Sequence, residues 1–230
     1  MSNYSSDYWP DLALTGRYRG HLKALPQGHW LSEGAALAFT GLQQAAQQDG
    51  FVLRLASSFR DFERQEQIFS GKWRGVRPVH DDQGRAIDVS QLTEEQKLHA
   101  ILRFSALPGA SRHHWGTDMD LYCARLQGSA ALALSPIEYS QGGRQFALAQ
   151  WLADNARRFD FIRPYDQDRG GVAVEPWHLS YAPQAEPMLA RLSADKLADA
   201  LSYGQVVGRD YVLANIDAIM SRYVTNVGAV

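Results

Sequence analysis

Apolar positions recur along the chain with two periods. From Ser32 to about Asp49, Leu37, Phe39, Leu42 and Ala45 fall on one side of a predicted helix, stopped by Asp49-Gly50. Phe51 to Ala56 alternates over strand length. Asp61 is positioned to cap a helix over Phe62 to about Ser70, with Ile68 and Phe69 turned inward. Between Trp73 and Val89, apolar Val76, Pro78 and Val79 precede a turn at Asp81 to Gly84, and Ala86, Ile87 and Val89 follow it. That pattern predicts a hairpin insertion over 73–89. Thr93 and Gln96 form a capping-box pattern opening a helix to about Phe104. Asp118 to Tyr122 is a predicted strand, and Ser135 to Gly143 a loop. Arg144 to Phe159 is the clearest amphipathic helix, with Leu148, Trp151, Leu152 and Phe159 on one face. Phe161 to Tyr165 and Gly171 to Val174 are expected as two strands of a hairpin. Residues 186–223 resemble a helical pair, and the stripe Val212, Ile216, Ile219, Tyr223 is assigned to core or dimer contact.

These elements predict an α+β fold, a small antiparallel sheet with helices packed on one face and chemistry on or beside the sheet. The expected organisation is an N-terminal arm over 1–30, a catalytic domain over 31–185 and a C-terminal helical extension over 186–230. At 230 residues, with 45% hydrophobic and 21% charged residues, the chain can bury one sizeable core. A net charge of −2 without a Lys/Arg cluster excludes a nucleic-acid footprint and suits a neutral or zwitterionic substrate. The single cysteine, Cys123, cannot form an internal disulfide and is expected as a small buried hydrophobe. No signal-peptide pattern opens the sequence and no stretch has the length of a membrane span. The expected location is therefore cytoplasmic, or periplasmic if an export signal is missing from this chain.

Two short motifs carry the chemistry: Ser111-Arg-His-His-Trp-Gly-Thr-Asp-Met-Asp120 and Glu175-Pro-Trp-His178. His113, Asp120 and His178 supply the three protein ligands of an open zinc site, one ion per chain, and Glu175 a free carboxylate to act as base. Gly116 allows the bend that lets His113 reach the point where Asp120 leaves its strand. Pro176 restricts Glu175 to extended backbone, so base and ligand can share one tight turn. His114 should face away from His113, donating to a backbone carbonyl or orienting a ligand.

With Ser111, His113, Gly116, Asp120, Glu175 and His178 in register, the sequence resembles the VanY-type D-alanyl-D-alanine carboxypeptidases, zinc peptidases of the hedgehog/DD-peptidase fold. Ser57 to Gln65 is similar to a further segment of that family. The likeness runs over roughly residues 35–183. Asp118 departs from it, standing where the family usually has Ala; it could be a competing ligand, a partner behind the ligands or an adaptation to substrate. The resemblance implies that Arg60 stabilises the developing oxyanion and that Ser111 and Gln65 contact substrate, with Trp115 and Trp177 walling the pocket. A surface ion pair of Arg60 with Asp61 or Glu63 is the alternative. The implied activity is removal of a C-terminal D-alanine from peptidoglycan peptides, of D,D- or L,D-type. A zinc endopeptidase or amidase acting on cross-links, or a non-catalytic module binding wall peptides, are the other readings.

Overall fold

A computed structural model describes residues 5–228, so the first four residues of the predicted arm lie outside it. Strands β1 (Leu22–Ala24) and β2 (Trp30–Ser32) form a small antiparallel ribbon. Ser32 ends that ribbon and caps the helix Glu33–Gln48 through its hydroxyl. Four more strands, β3 (Leu53–Ser57), β4 (Asp118–Cys123), β5 (Phe161–Ile162) and β6 (His178–Tyr181), make an antiparallel sheet in the order β3-β4-β6-β5.

Alternation along β4 divides the molecule. Met119, Leu121 and Cys123 are buried with Phe39 and Leu42 of the Glu33–Gln48 helix and with Leu148 and Leu152 of the helix Phe146–Asn155. Asp118 and Asp120, one residue out of phase, face the other way. There the register pairs Asp118 with Ser180 and Asp120 with His178. A β-bulge in β3 separates Leu55, opposite Leu121, from Ser57, opposite Asp120. The extra residue shifts the phase, so Leu53 and Leu55 join the apolar layer while Ser57 emerges on the polar face.

A second apolar cluster lies among helices. It joins Phe69 and Trp73 of the helix Phe62–Trp73 to Ile101 of Glu94–Leu102, Met188 of Ala182–Arg191 and Leu197 of Ala194–Tyr203. The N-terminal segment is packed rather than loose: Ala13 and Leu14 are fully buried, and the Leu14 carbonyl accepts from the Trp115 indole at 2.9 Å. The Thr93–Gln96 capping box forms. No helix among the described residues is long and apolar enough to cross a membrane.

Four expected elements differ. Ser135 to Gly143, expected as loop, carries a short helix, Pro136–Tyr139. Over 73–89 the hairpin reduces to one bridge, His80 to Ala86, because buried Val79 and Val89 tie its flanks into the helical cluster. Residues 171–174 form no strand: Ala173 N–H donates to the Arg103 carbonyl and Glu175 N–H to the Tyr165 carbonyl, so β5 pairs with β6 instead. The expected C-terminal pair is a longer series that continues through Arg209–Ala214 and Ile216–Ile219 to a π turn, Met220–Val224.

Candidate metal centre and active site

Three segments distant in sequence meet on the polar face of the sheet. The loop after β3 supplies Ser58 and Arg60, the 3-10 turn Arg112–Trp115 with β4 supplies His113 and Asp120, and the turn into β6 supplies Glu175 and His178. Gly116 ends the 3-10 turn in the left-handed region, at φ 68°, where an added Cβ would meet Leu22 at 2.3 Å. Chain reversal between His113 and β4 thus depends on glycine.

Hydrogen-bond partners fix the two imidazoles. His113 Nδ1 lies 2.9 Å from the Ser58 carbonyl, which can only accept, so Nδ1 carries the proton and Nε2 is left as a donor of its lone pair. His178 Nε2 lies 2.9 Å from Asp118 Oδ1, so by the same reasoning Nδ1 is its free nitrogen. Those free nitrogens stand 3.3 and 3.1 Å from the two carboxylate oxygens of Asp120. The ligand atoms of His113, Asp120 and His178 all lie within 4.8 Å of one another. Asp120 Oδ1 is buried and receives no hydrogen bond, its approach to His178 lacking the angle for one. A buried carboxylate oxygen left so is costly unless a cation faces it, and two imidazoles with one carboxylate form the donor set of an open zinc site. The residues present therefore fit a metal.

Asp118 is not a ligand. It is fully buried, accepts from Arg112 Nε at 2.7 Å, from Thr117 and Ser180 hydroxyls, and from His178. Burial raises its carboxyl, but Arg112 and His178 outweigh that and hold it well below the ordinary range. Asp118 also orients His178, as carboxylates behind metal-bound imidazoles do. His114 points away: Nδ1 donates to the Arg60 carbonyl at 2.6 Å and Nε2 accepts from Gly109 N–H. Its burial lowers its pKa to about 3, which keeps the ring neutral in that bridge.

Glu175 lies with Oε2 3.5 Å from His178 Nδ1. Burial raises its carboxyl to about 7 even though His178 pulls the other way. Arg60 gives Nη1 to Gln65 at 2.6 Å and Nη2 to Ser57 at 3.0 Å, leaving further N–H groups on the cavity side. It makes no ion pair with Asp61, which instead caps Arg64 and pairs with Arg19.

Ser111 and Trp177 line the cavity, whose volume is about 280 Å³. Gln65 and Trp115 do not. Gln65 is fully buried with its amide oxygen on Arg60 and its nitrogen on the Ala106 carbonyl, so it holds Arg60 and cannot face substrate. The Trp115 ring is fully buried in the helical cluster, under the Arg112 guanidinium. Sequence spacing overlooked Tyr165, whose ring packs edge-on to His178, and Lys72 and Arg77 on the cavity wall. Lys72 follows inward-facing Ile68 by four residues on the same helix, a spacing that could have flagged it.

Residues 28–184 match the family model of the VanY D-alanyl-D-alanine carboxypeptidases. The chain is 37% identical over 121 residues to an uncharacterised protein of Haemophilus influenzae, covering 51% of this chain and 92% of that one. It is 26% identical over 171 residues to a D-alanyl-D-alanine carboxypeptidase of Enterococcus faecalis, covering 73% of this chain and 54% of the other. In structure it resembles a mutant of the vancomycin resistance D,D-pentapeptidase VanY from a VanB-type cassette, solved in complex with Zn(II). The TM-score is 0.54 and the identity 25%, over 75% of this chain and 91% of that one.

Proposed function

The chain belongs to the VanY D-alanyl-D-alanine carboxypeptidase family, and from that premise we propose that it removes a C-terminal D-alanine from peptidoglycan-derived peptides by zinc-dependent hydrolysis. The observation that carries this is the convergence of the free nitrogens of His113 and His178 with the carboxylate of Asp120, beside a buried Glu175. Those three residues would hold one zinc ion, which supplies Lewis acidity toward a carbonyl and lowers the pKa of a water molecule.

The protein's own groups do the rest. Glu175 takes a proton from the attacking water as oxygen bonds to the peptide carbonyl carbon, and delivers it to the nitrogen as the C–N bond breaks. Glu175 is buried beside the ligand cluster, and in the metal-free protein that burial raises its carboxyl to about 7. Negative charge growing on the carbonyl oxygen meets Arg60, which Gln65 and Ser57 hold in place before reaction begins. Ser111 lines the same cavity and is the residue we assign to a substrate contact.

Zinc content and product masses from pentapeptide and tetrapeptide wall fragments test this reading. Wild-type protein should bind one zinc and release D-alanine. Glu175→Gln should keep zinc and lose about 100- to 10,000-fold in turnover. Full activity in that variant, or zinc content unchanged by His113→Ala, Asp120→Ala and His178→Ala alike, would reject it.

A further inference from the structure

The cavity that holds the metal-ligand cluster is also bordered by residues from outside the family-matched span. Ile219, Tyr223 and Val224 line it, and all three lie beyond residue 184, where the family match ends. They belong to the helical cluster with Phe69 and Trp73, so the wall they form is anchored in core. Volume gives the scale: about 280 Å³ falls at the lower edge of the roughly 300–1,000 Å³ of small-ligand pockets.

This region is also cationic. Arg60, Lys72 and Arg77 all border the cavity, and none forms an ion pair among the described residues, whereas Arg112 is paired with Asp118. Lys72 is in the last turn of the helix Phe62–Trp73. Side chains on a helix lean toward its N-terminus, which carries the ammonium back toward the site, where it donates to Ser105 Oγ at 2.7 Å. Burial and Arg77 lower its pKa while Glu175 raises it, so both charges are close enough to be felt. Facing the three cations are the carboxylates of Asp120 and Glu175, and a divalent ion would widen the positive excess.

We propose that the C-terminal segment 216–224 closes a leaving-residue pocket in which Lys72 and Arg77 receive the substrate's terminal carboxylate, while Ile219, Tyr223 and Val224 limit that residue to a small side chain. This inference rests on the carboxypeptidase reading and adds to it which residues of this chain set selectivity. Charge-assisted hydrogen bonds of this kind are stronger than neutral ones and are lost when the acid is amidated.

Equilibrium binding to zinc-loaded Glu175→Gln protein, followed by calorimetry, tests the pocket apart from turnover. The probes are a peptide ending in D-Ala-D-Ala as free acid, its C-terminal amide, and a free acid ending in D-Ala-D-Leu. The acid should bind at least about tenfold more tightly than the amide. Lys72→Met should abolish most of that ratio and Lys72→Arg restore it; thermal midpoints verify folding. Ile219→Ala should admit the D-Leu peptide at least about tenfold better, and Ile219→Met should not. Acid–amide ratios unchanged by Lys72→Met and Arg77→Met, or a size preference unchanged by Ile219→Ala, would overturn the proposal whatever the turnover. Wild-type protein that binds with these preferences yet releases no D-alanine would reject the carboxypeptidase reading and keep the pocket.

Discussion

The two faces of β4 differ in what their side chains are free to do. On one, Met119, Leu121 and Cys123 meet apolar neighbours, where many arrangements of similar volume would serve. On the other, Asp118 and Asp120 sit two residues apart with opposite hydrogen-bond economies. Asp118 is saturated by Arg112, Thr117, His178 and Ser180, while Asp120 keeps an oxygen with no donor. Equal burial therefore does not mean equal role. The saturated carboxylate holds structure, and the unsatisfied one waits for a cation.

Removing Asp118 should break the simple division of the strand into a stabilising face and a working face. Asp118→Ala leaves Arg112 buried and unpaired, an expected loss of about 3 to 5 kcal/mol in chemical denaturation. It should also weaken zinc binding about 10- to 100-fold through His178. Replacing both members, Arg112→Met with Asp118→Ala, should recover most of the stability and little of the zinc affinity. A double variant no more stable than the single one would show that the pair is not the cause. Leu121→Ala sharpens the contrast from the other side. Its side chain is fully buried, so the expected cost is about 2 to 5 kcal/mol, with kcat per folded molecule retained.

The smallest expected effect concerns Glu175 in metal-free protein. Its folded carboxyl is raised to about 7, so its contribution to stability is present below the unfolded value and is lost as pH rises through about 7. Glutamine mimics the protonated form at every pH. Metal-free Glu175→Gln should hence be more stable than wild type at pH 8, by on the order of 1 to 3 kcal/mol, and match it near pH 4. Equal melting of the two proteins at pH 8 would place Glu175 in wetter surroundings than its burial implies.

How much of this was legible in the sequence depended on range. His113 with Asp120, and Glu175 with His178, lie in two short motifs each set by a local turn, so spacing exposed the residues, while the β4–β6 pairing that joins the two motifs lay beyond it. Asp118 stood out as a departure, but its partner Arg112 became visible only once β4 was folded beside the 3-10 turn. Gln65 and Trp115 were placed near the right elements and on the wrong side of them, because spacing does not say which backbone carbonyl captures an amide or an indole. Val172 and Ala173 looked like a strand. Arg103 decided otherwise: its guanidinium takes the Gly171 carbonyl and Asp168, and its own carbonyl takes Ala173 N–H. The apolar stripe of the C-terminal helices was evident, yet its arrival at the cavity needs contacts more than a hundred residues apart in sequence, as between Tyr223 and His99.

The β3 bulge bears on how the chain can tolerate insertions and deletions. One surplus residue between Leu55 and Ser57 turns Ser57 to the polar face, where its hydroxyl steadies Arg60. Replacing Ala56 by another residue alters a side chain and leaves this count intact. Deleting it puts Ser57 directly after Leu55, where strict alternation keeps it on the polar face opposite Asp120, whereas one further residue placed after the bulge would turn Ser57 toward the apolar layer and carry Arg60 away from Glu175. At this position the strand tolerates a shorter chain better than a longer one.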